Sequence, residues 1–504
     1  MQRPLSYIWI IALILLIYPH PALAQKKVRR MTLEEATFLA KERSIQALIA
    51  KQQFKVSYLT YKTFRRGYLP QLSASGTLPD FERNIASYLN PDQSYSYLLS
   101  QSINYIGNVS LNQKIGFTGG DISLNSGLQC IDNLNPSSTI SNNSTPISYY
   151  SSPLNIQYSQ PIFMFNSYKW DRKLQPLKYD QAKRIYLESI EDINIMTTNY
   201  FFAVLEAQVE KKIEETNYQN YDTLYKITQG RFQLGKIPQN QLLLYELSLL
   251  KAKLAIENAK LALDDALFVF KSFLRLTESD SIVLLPPVNI AFFMVDPFKA
   301  IDEAFENTSP AEDFTRQLLE ADMGVNKAKM DGRFDANLRA KFGINQTAPT
   351  LSDAYKSSQD LEGVTLQLNI PIIDWGVARG NIKIAESQRD IVKNQVEQGI
   401  IDFRQGIYRN VMKFNMQQNQ LQIAAKADTV AKKSYQITQD RYMIGKISDF
   451  QELYTAQTEA DNSENAFFAA LQSYWQQYYS IRKSTLFDFQ SQSHLQFNIS
   501  DINP

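Results

Sequence analysis

"YKITQGRFQLGKI" occupies Tyr225–Ile237, and "YQITQDRYMIGKI" occupies Tyr435–Ile447. Eight of the thirteen positions are identical, and the copies start 210 residues apart (435 − 225 = 210). At the same offset "YSQPIFMF" (Tyr158–Phe165) falls on "LNIPIIDW" (Leu368–Trp375), with Pro161 on Pro371. Nothing is inserted between the proline and the doubled segment in either copy. A fixed length over that span predicts a rigid element rather than a loop.

The match extends upstream. "LEEATFLAKERS" (Leu33–Ser44) resembles "FKAIDEAFENTS" (Phe298–Ser309), at an offset of 265. "FRRGYLPQLSAS" (Phe64–Ser75) resembles "MDGRFDANLRAK" (Met330–Lys341), at 266, so the first copy is longer by 266 − 210 = 56 residues. The chain therefore reads as a tandem duplication. Residues 1–24 are a signal peptide, and 25–285 are a first repeat with an insertion of about 79–152 between its strands. Residues 286–486 are a second repeat, and 487–504 a polar tail expected to be disordered. Two long copies, not many short ones, argue against a solenoid.

Each copy has the same internal order. Helical patterns come first, over Thr32–Arg66 and Pro297–Gly332, followed by two alternating stretches. Very long helical patterns follow, Ser167–Gln233 and Val377–Met443, then the doubled segment, then helices over Asn240–Leu276 and Phe450–Ser484. A helix of about 65 residues spans about 100 Å. Leu247, Leu254, Leu261 and Phe268 recur every seven residues, as in a coiled-coil seam. Beside them Ala252, Ala255, Ala259, Ala262 and Ala266 form a small-residue face. Two such stripes predict packing on two sides, as in a wall of helices.

The doubled segment then joins antiparallel helices. Gly235 and Gly445 suit the left-handed residue that ends a helix. Lys236 and Lys446 suit its negative end, and Pro238 and Ser448 the start of the next helix. A turn kept for folding alone explains the glycines. It does not require the repeated Arg231/Arg441, Lys236/Lys446 and Ile237/Ile447, which are candidate contacts for a partner protein.

Composition removes most chemistry. The 504 residues carry a formal charge of +1, two histidines (His20 and His494) and one cysteine, Cys130. An internal disulfide is impossible, and a His/Cys zinc site or a histidine-based triad is close to excluded. No GxSxG, P-loop or HExxH is written, so no enzyme, cofactor or metal is expected. The near-neutral charge gives no footprint for nucleic acid. Arg3, the apolar run Tyr7–Tyr18 and Ala22-Leu23-Ala24 form an export signal cut between Ala24 and Gln25. That run falls short of the roughly 20 residues a spanning helix needs. "SIVLLPPVNIAFFMV" (Ser281–Val295) is broken by Pro286, Pro287 and Asn289.

The alternating stretches have one wet face and one apolar face. Leu154, Ile156 and Tyr158 alternate with Asn155, Gln157 and Ser159. Val364, Leu366, Leu368 and Ile370 alternate with Thr365, Gln367 and Asn369. Ala336, Leu338, Ala340, Phe342 and Ile344 alternate with Asn337, Arg339 and Lys341. A soluble sandwich and an outer-membrane barrel both give this pattern. Four strands cannot close a barrel, and open edges are not tolerated in lipid, so a barrel needs several chains.

The signal peptide, the strand/long-helix duplication, "PIFMFNSYKWDRK", "PIIDWGVARGNIKIAESQRD" and "RYMIGK" together resemble the TolC-like outer-membrane channel family. The resemblance covers essentially all of the mature chain. It implies an α+β membrane protein: a homotrimeric β-barrel of twelve strands continued by a periplasmic α-helical barrel. It implies an exit duct of a tripartite efflux pump or type I secretion system, in the outer membrane of a Gram-negative bacterium. The partners implied are a periplasmic adaptor (membrane fusion) protein, an inner-membrane transporter and outer-membrane lipid. In the family, acidic and polar residues near the second turn narrow the periplasmic end. Here Glu452, Asp449 and Tyr442 are the gate candidates, against the neutral "PQNQLLL" of copy one. A frequent acidic position of the family is Thr455 in this chain. The insertion adds a hairpin, "GNVSLNQKIGF" and "DISLNSGLQC", which the strand pattern alone leaves unplaced. The competing reading is an exported coiled-coil scaffold or adaptor with a small β-domain, which would need no detergent.

Overall fold

The computed structural model describes residues 29–89, 92–134, 147–277, 281–446 and 450–496. The export signal with Ala24 and Gln25, the turn residues Ile447, Ser448 and Asp449, and most of "NLNPSSTISNNSTP" lie outside them. In chain order the elements begin with β1 (Arg29–Met31), α1 (Leu33–Arg43) and α2 (Ile45–Arg66). Four long strands follow: β2 (Gln71–Leu89), β3 (Tyr95–Ile115), β4 (Gly120–Asn133) and β5 (Ile147–Ile162). Then come α3 (Ser167–Gln233), α4 (Gln239–Leu274), β6 (Ile282–Leu284), α5 (Pro297–Asn307) and α6 (Ser309–Asp331). The second half closes with β7 (Asp335–Ala348), β8 (Gln359–Asn369), α7 (Val377–Met443), α8 (Phe450–Thr485), β9 (Phe487–Asp488) and β10 (Ser493–His494).

Element lengths repeat. Helices α3 and α7 have 67 residues each, and α4 and α8 have 36 each. The α1–α2 pair has 11 and 22 residues, and α5–α6 has 11 and 23. Each pair reads from sequence as one helix, but the chain breaks at Ser44 (ψ 150°) and Thr308 (ψ 158°). Ser44 Oγ accepts from the Ala47 amide (3.1 Å), a side-chain cap that starts a new helix. The Thr308 hydroxyl bonds back to the Ala304 carbonyl (2.6 Å).

The residues group into two compact units. One comprises the described parts of 1–53, 184–308 and 404–503, and is helical. Its core includes Phe201, Phe202, Phe270, Phe414 and Tyr474. A charged triad lies in it: the Arg482 guanidinium meets the buried Glu191 (3.0 Å) and Asp488 (3.3 Å). Burial works against the Arg482 charge, but Glu191, Tyr478 and Asp488 outweigh it and hold its pKa above the ordinary value. The stretch expected as a disordered tail is folded at its start. Phe487 and Phe489 are buried, β9 pairs with β10, and the His494 ring packs edge-on to Phe487 (5.1 Å). The buried rings of Phe487 and Phe489, with the Leu495 amide donating to the Leu486 carbonyl (3.0 Å), tie the start of the segment down.

The other unit comprises 54–183 and 309–403. It holds one antiparallel sheet in the order β2-β3-β4-β5-β7-β8. Six strands, not four, therefore belong to the sheet, and the hairpin left unplaced by the strand pattern is its β3–β4 pair. Helices pack here through Tyr61 stacked on Tyr179 (4.8 Å) and Trp170 Nε1 donating to Asn326 (3.3 Å). Among the described residues no helix is long and apolar enough to cross a membrane.

Candidate functional site: helical turns and an amphipathic sheet

Both copies of the doubled segment end their long helix in the same way. The Gly235 amide donates to the Phe232 carbonyl (2.8 Å) and the Lys236 amide to Arg231 (3.0 Å). The Gly445 amide donates to Tyr442 (3.0 Å) and the Lys446 amide to Arg441 (3.0 Å). This pair of hydrogen bonds is the Schellman cap, and it needs a left-handed residue. Gly235 has φ +67° and Gly445 φ +76°. Among the described residues, a Cβ on either glycine would meet no atom within 4 Å. Leu234 (71% exposed) and Ile444 (66%) stand out beside them. Pro238 is the residue before α4, extended at φ −76°, ψ 156°.

The three gate candidates fare differently. Tyr442 is buried, with only 2% of its surface exposed. It packs in a cluster with Tyr221, Leu224, Tyr245, Ala252 and Leu453. The Arg231 guanidinium lies over its ring, 5.3 Å from the centroid. Glu452 is half exposed in the first turn of α8 and meets Arg441 at 3.5 Å. Asp449 lies outside the described residues. Arg231, Arg441 and Tyr442 thus come together with Glu452 around the turns, and Gly235, Lys236, Gly445 and Lys446 form the tips.

Above this cluster lies a polar layer with no local sequence signal. Gln457 Nε2 donates to Asn217 Oδ1 (2.5 Å), whose amide donates to Asp461 Oδ2 (3.0 Å). Asn220 donates to the Tyr435 hydroxyl (3.0 Å), and Gln439 to Asn220 (3.3 Å). Burial, chiefly, pushes the Asp461 carboxyl up; Glu210 and Glu464 add to it, while Asn217 and Lys432 oppose it. Glu214 is raised by burial and then by Glu210 and Asp461. Tyr435 is pushed up to about 12, first by burial and then by Asp461. Among the described residues no group of His, Cys, Asp and Glu could hold a metal ion.

The sheet has two unlike faces. On one, Leu72 pairs with Leu111, Leu111 with Leu124, Leu124 with Ile156, and Ile156 with Phe342. The opposite face carries Ser73, Ser110, Asn125, Asn155 and Gly343 along the adjacent row. A cavity of about 440 Å³ lies over the polar face, lined by Asn112, Asp121, Gln157, Arg339 and Lys341 among others. The apolar face is open: Leu72 is 72% exposed and Val364 76%. Large apolar groups also stand out at the helix-side ends of the strands, with Phe117 85%, Ile372 89% and Trp375 93% exposed. Such a band bordered by aromatic residues is the pattern of a lipid-facing sheet.

Comparison with known proteins agrees with this geometry. Residues 335–485 match the outer membrane efflux protein family. The fold is similar to the Campylobacter jejuni CmeC outer membrane channel (TM-score 0.64, 15% identity, 93% of this chain and 88% of that one). It is similar to the outer-membrane channel OprN (TM-score 0.63, 14% identity, 90% and 89%). It is also similar to the Vibrio cholerae outer membrane protein VceC (TM-score 0.59, 11% identity, 92% and 97%). No curated protein matches by sequence. The family match covers residues 335–485, and over nearly its whole length the chain shares the fold of these outer-membrane channels.

Proposed function

We propose that this protein is the homotrimeric exit duct of a tripartite efflux pump, passive in itself, carrying cargo from a pump through the periplasm and outer membrane. The observation that carries the reading is the six-stranded sheet with one apolar face and two unpaired edges, β2 and β8. Unpaired backbone groups in hydrocarbon cost several kcal/mol each, so such a sheet needs further copies to close it. The helices argue the same way. Ala252 and Ala259 of α4 are buried within the chain, while Leu247, Leu254, Leu261 and Phe268 are half exposed or more. A leucine seam left uncovered in one chain suits a neighbouring copy.

The tips Arg231, Gly235, Lys236, Ile237, Arg441, Gly445, Lys446 and Ile447 are the proposed docking points for a periplasmic adaptor. Two similar tips per chain give six in a trimer, which suits a six-fold adaptor ring. Glu452, with Asp449, is the proposed acidic constriction, since three-fold symmetry gathers three copies of each around one axis. Tyr442 contributes by holding the second turn to the first rather than by lining the passage. The mass of the particle in mild detergent tests the reading: a trimer is expected, and monomers alone would remove it.

A further inference from the structure

We propose that the insertion in the first repeat widens the barrel, so that three chains close eighteen strands through β2 of one chain and β8 of the next. The inference rests on the exit-duct reading and goes beyond it, because a four-strand chain would give twelve.

Three observations separate β2 and β3 from an external appendage. First, the ladder is continuous: β3 pairs with β4 from Ser102↔Asn133 to Ile115↔Gly120 without a bulge. Second, the alternation of the other strands continues into them. Leu72, Ala74 and Phe81 of β2 stand beside Leu111, Val109 and Ile103 of β3. On the reverse face Ser73, Ser75 and Glu82 stand beside Ser110, Asn108 and Ser102. A hairpin in water has no reason to sort its residues this way, whereas lipid outside and water inside require it. Third, the stagger fits a tilted wall. One row of partners runs Gln71, Asn112, Ser123, Gln157, Lys341, Gly363. It starts at the first residue of β2 and meets β8 369 − 363 = 6 residues before its last residue, Asn369. About one residue of stagger per strand tilts the strands by roughly 35–40°, as barrel closure needs.

The polarity of the edges also fits. Strands alternate in direction through the sheet, so β2 and β8 run antiparallel to each other and can pair between copies. Eighteen strands at this tilt give a backbone diameter of about 35 Å, against about 24 Å for twelve. Among the described residues, the outer parts of β2 and β3, beyond Arg83↔Gln101, pair only with each other. They form a two-stranded arm beyond the lipid, where its edges face water.

Cysteine pairs decide between the two closures. In a Cys130→Ser background, Leu72→Cys or Ala74→Cys on β2 is combined with Leu366→Cys or Leu368→Cys on β8. A second panel combines Ile122→Cys or Leu124→Cys on β4 with the same β8 positions. All are on the apolar face, and the single-cysteine parents report whether the trimer still forms. Under oxidant, β2–β8 pairs should yield covalent dimers and trimers on denaturing gels, and β4–β8 pairs none. Crosslinking of β4 to β8, or of neither panel in an intact trimer, would overturn the eighteen-strand closure and leave the exit duct standing. Monomers in the parents would remove both.

Discussion

The Arg231 guanidinium sits 5.3 Å from the centre of the Tyr442 ring. Arg231 closes the first long helix, and Tyr442 closes the second, 210 residues from its counterpart Phe232 (442 − 232 = 210). The two turns are therefore clasped by one cation–π contact over a tyrosine cluster, not left as separate loops. Tyr442→Ala removes a buried ring and should cost about 3 kcal/mol. Limited proteolysis would read this as faster cleavage at both turns, while Tyr442→Phe keeps the packing and the resistance. Equal cleavage of all three proteins would show that the cluster does not hold the turns.

Gly445→Trp tests docking. A Cβ at Gly445 meets no described atom within 4 Å, and the left-handed φ adds about 1–3 kcal/mol of strain for a larger residue. The trimer should remain intact while drug resistance conferred by the complete pump is lost. Normal resistance would make the turns purely structural.

Much of this architecture was legible in the sequence, and the reason is length. Ser167–Gln233 and Val377–Met443 are helices of 67 residues, and the glycine caps mark their ends. The breaks at Ser44 and Thr308 were hidden because the helical pattern resumes at once on the other side. The strand count was hidden for a different reason. Phe81–Leu89 mixes charged and apolar residues, and only part of β3 and β4 alternates conspicuously, so the pairing of six strands became visible only through their register. The layer of Asn217, Gln457 and Asp461 joins residues some 240 positions apart, 457 − 217 = 240, for which no local pattern exists. The proposed gate residues were the least legible, since Glu452 and Tyr442 lie close in sequence yet one is half exposed and the other buried.

Two half-buried acids, Asp461 and Glu214, should make the turn end of the bundle sensitive to pH. Asp461 and Glu214 both have folded pKa values above their ordinary ones, so the folded state holds more protons than the unfolded. Their contribution is full below the ordinary carboxylate range, near pH 4, and is lost as pH rises through the raised values. Hydrogen exchange in this region should be slower at about pH 5 than at about pH 8, after correction for intrinsic rates. Asp461→Asn should flatten that difference and raise the thermal midpoint at neutral pH. An unchanged pH dependence in Asp461→Asn would assign it to other groups.

Glu452→Ala together with Asp449→Ala tests the constriction. Loss of three acids of each kind from one axis should raise single-channel conductance or weaken block by divalent cations. Because Glu452 also meets Arg441, Arg441→Ala serves as the control for simple loss of that ion pair. If the double variant conducts and is blocked like the parent, the narrowing lies elsewhere.

Channel activity itself is the most direct measurement. The purified trimer, added to a planar lipid bilayer, should give discrete, uniform current steps. Arg339→Ala with Lys341→Ala, on the polar face of the sheet, should shift the selectivity of those steps toward cations. Insertion with uniform steps and a shifted reversal potential is the expected result. A detergent-stable trimer that never conducts, or steps whose selectivity ignores both substitutions, would contradict a pore lined by this sheet.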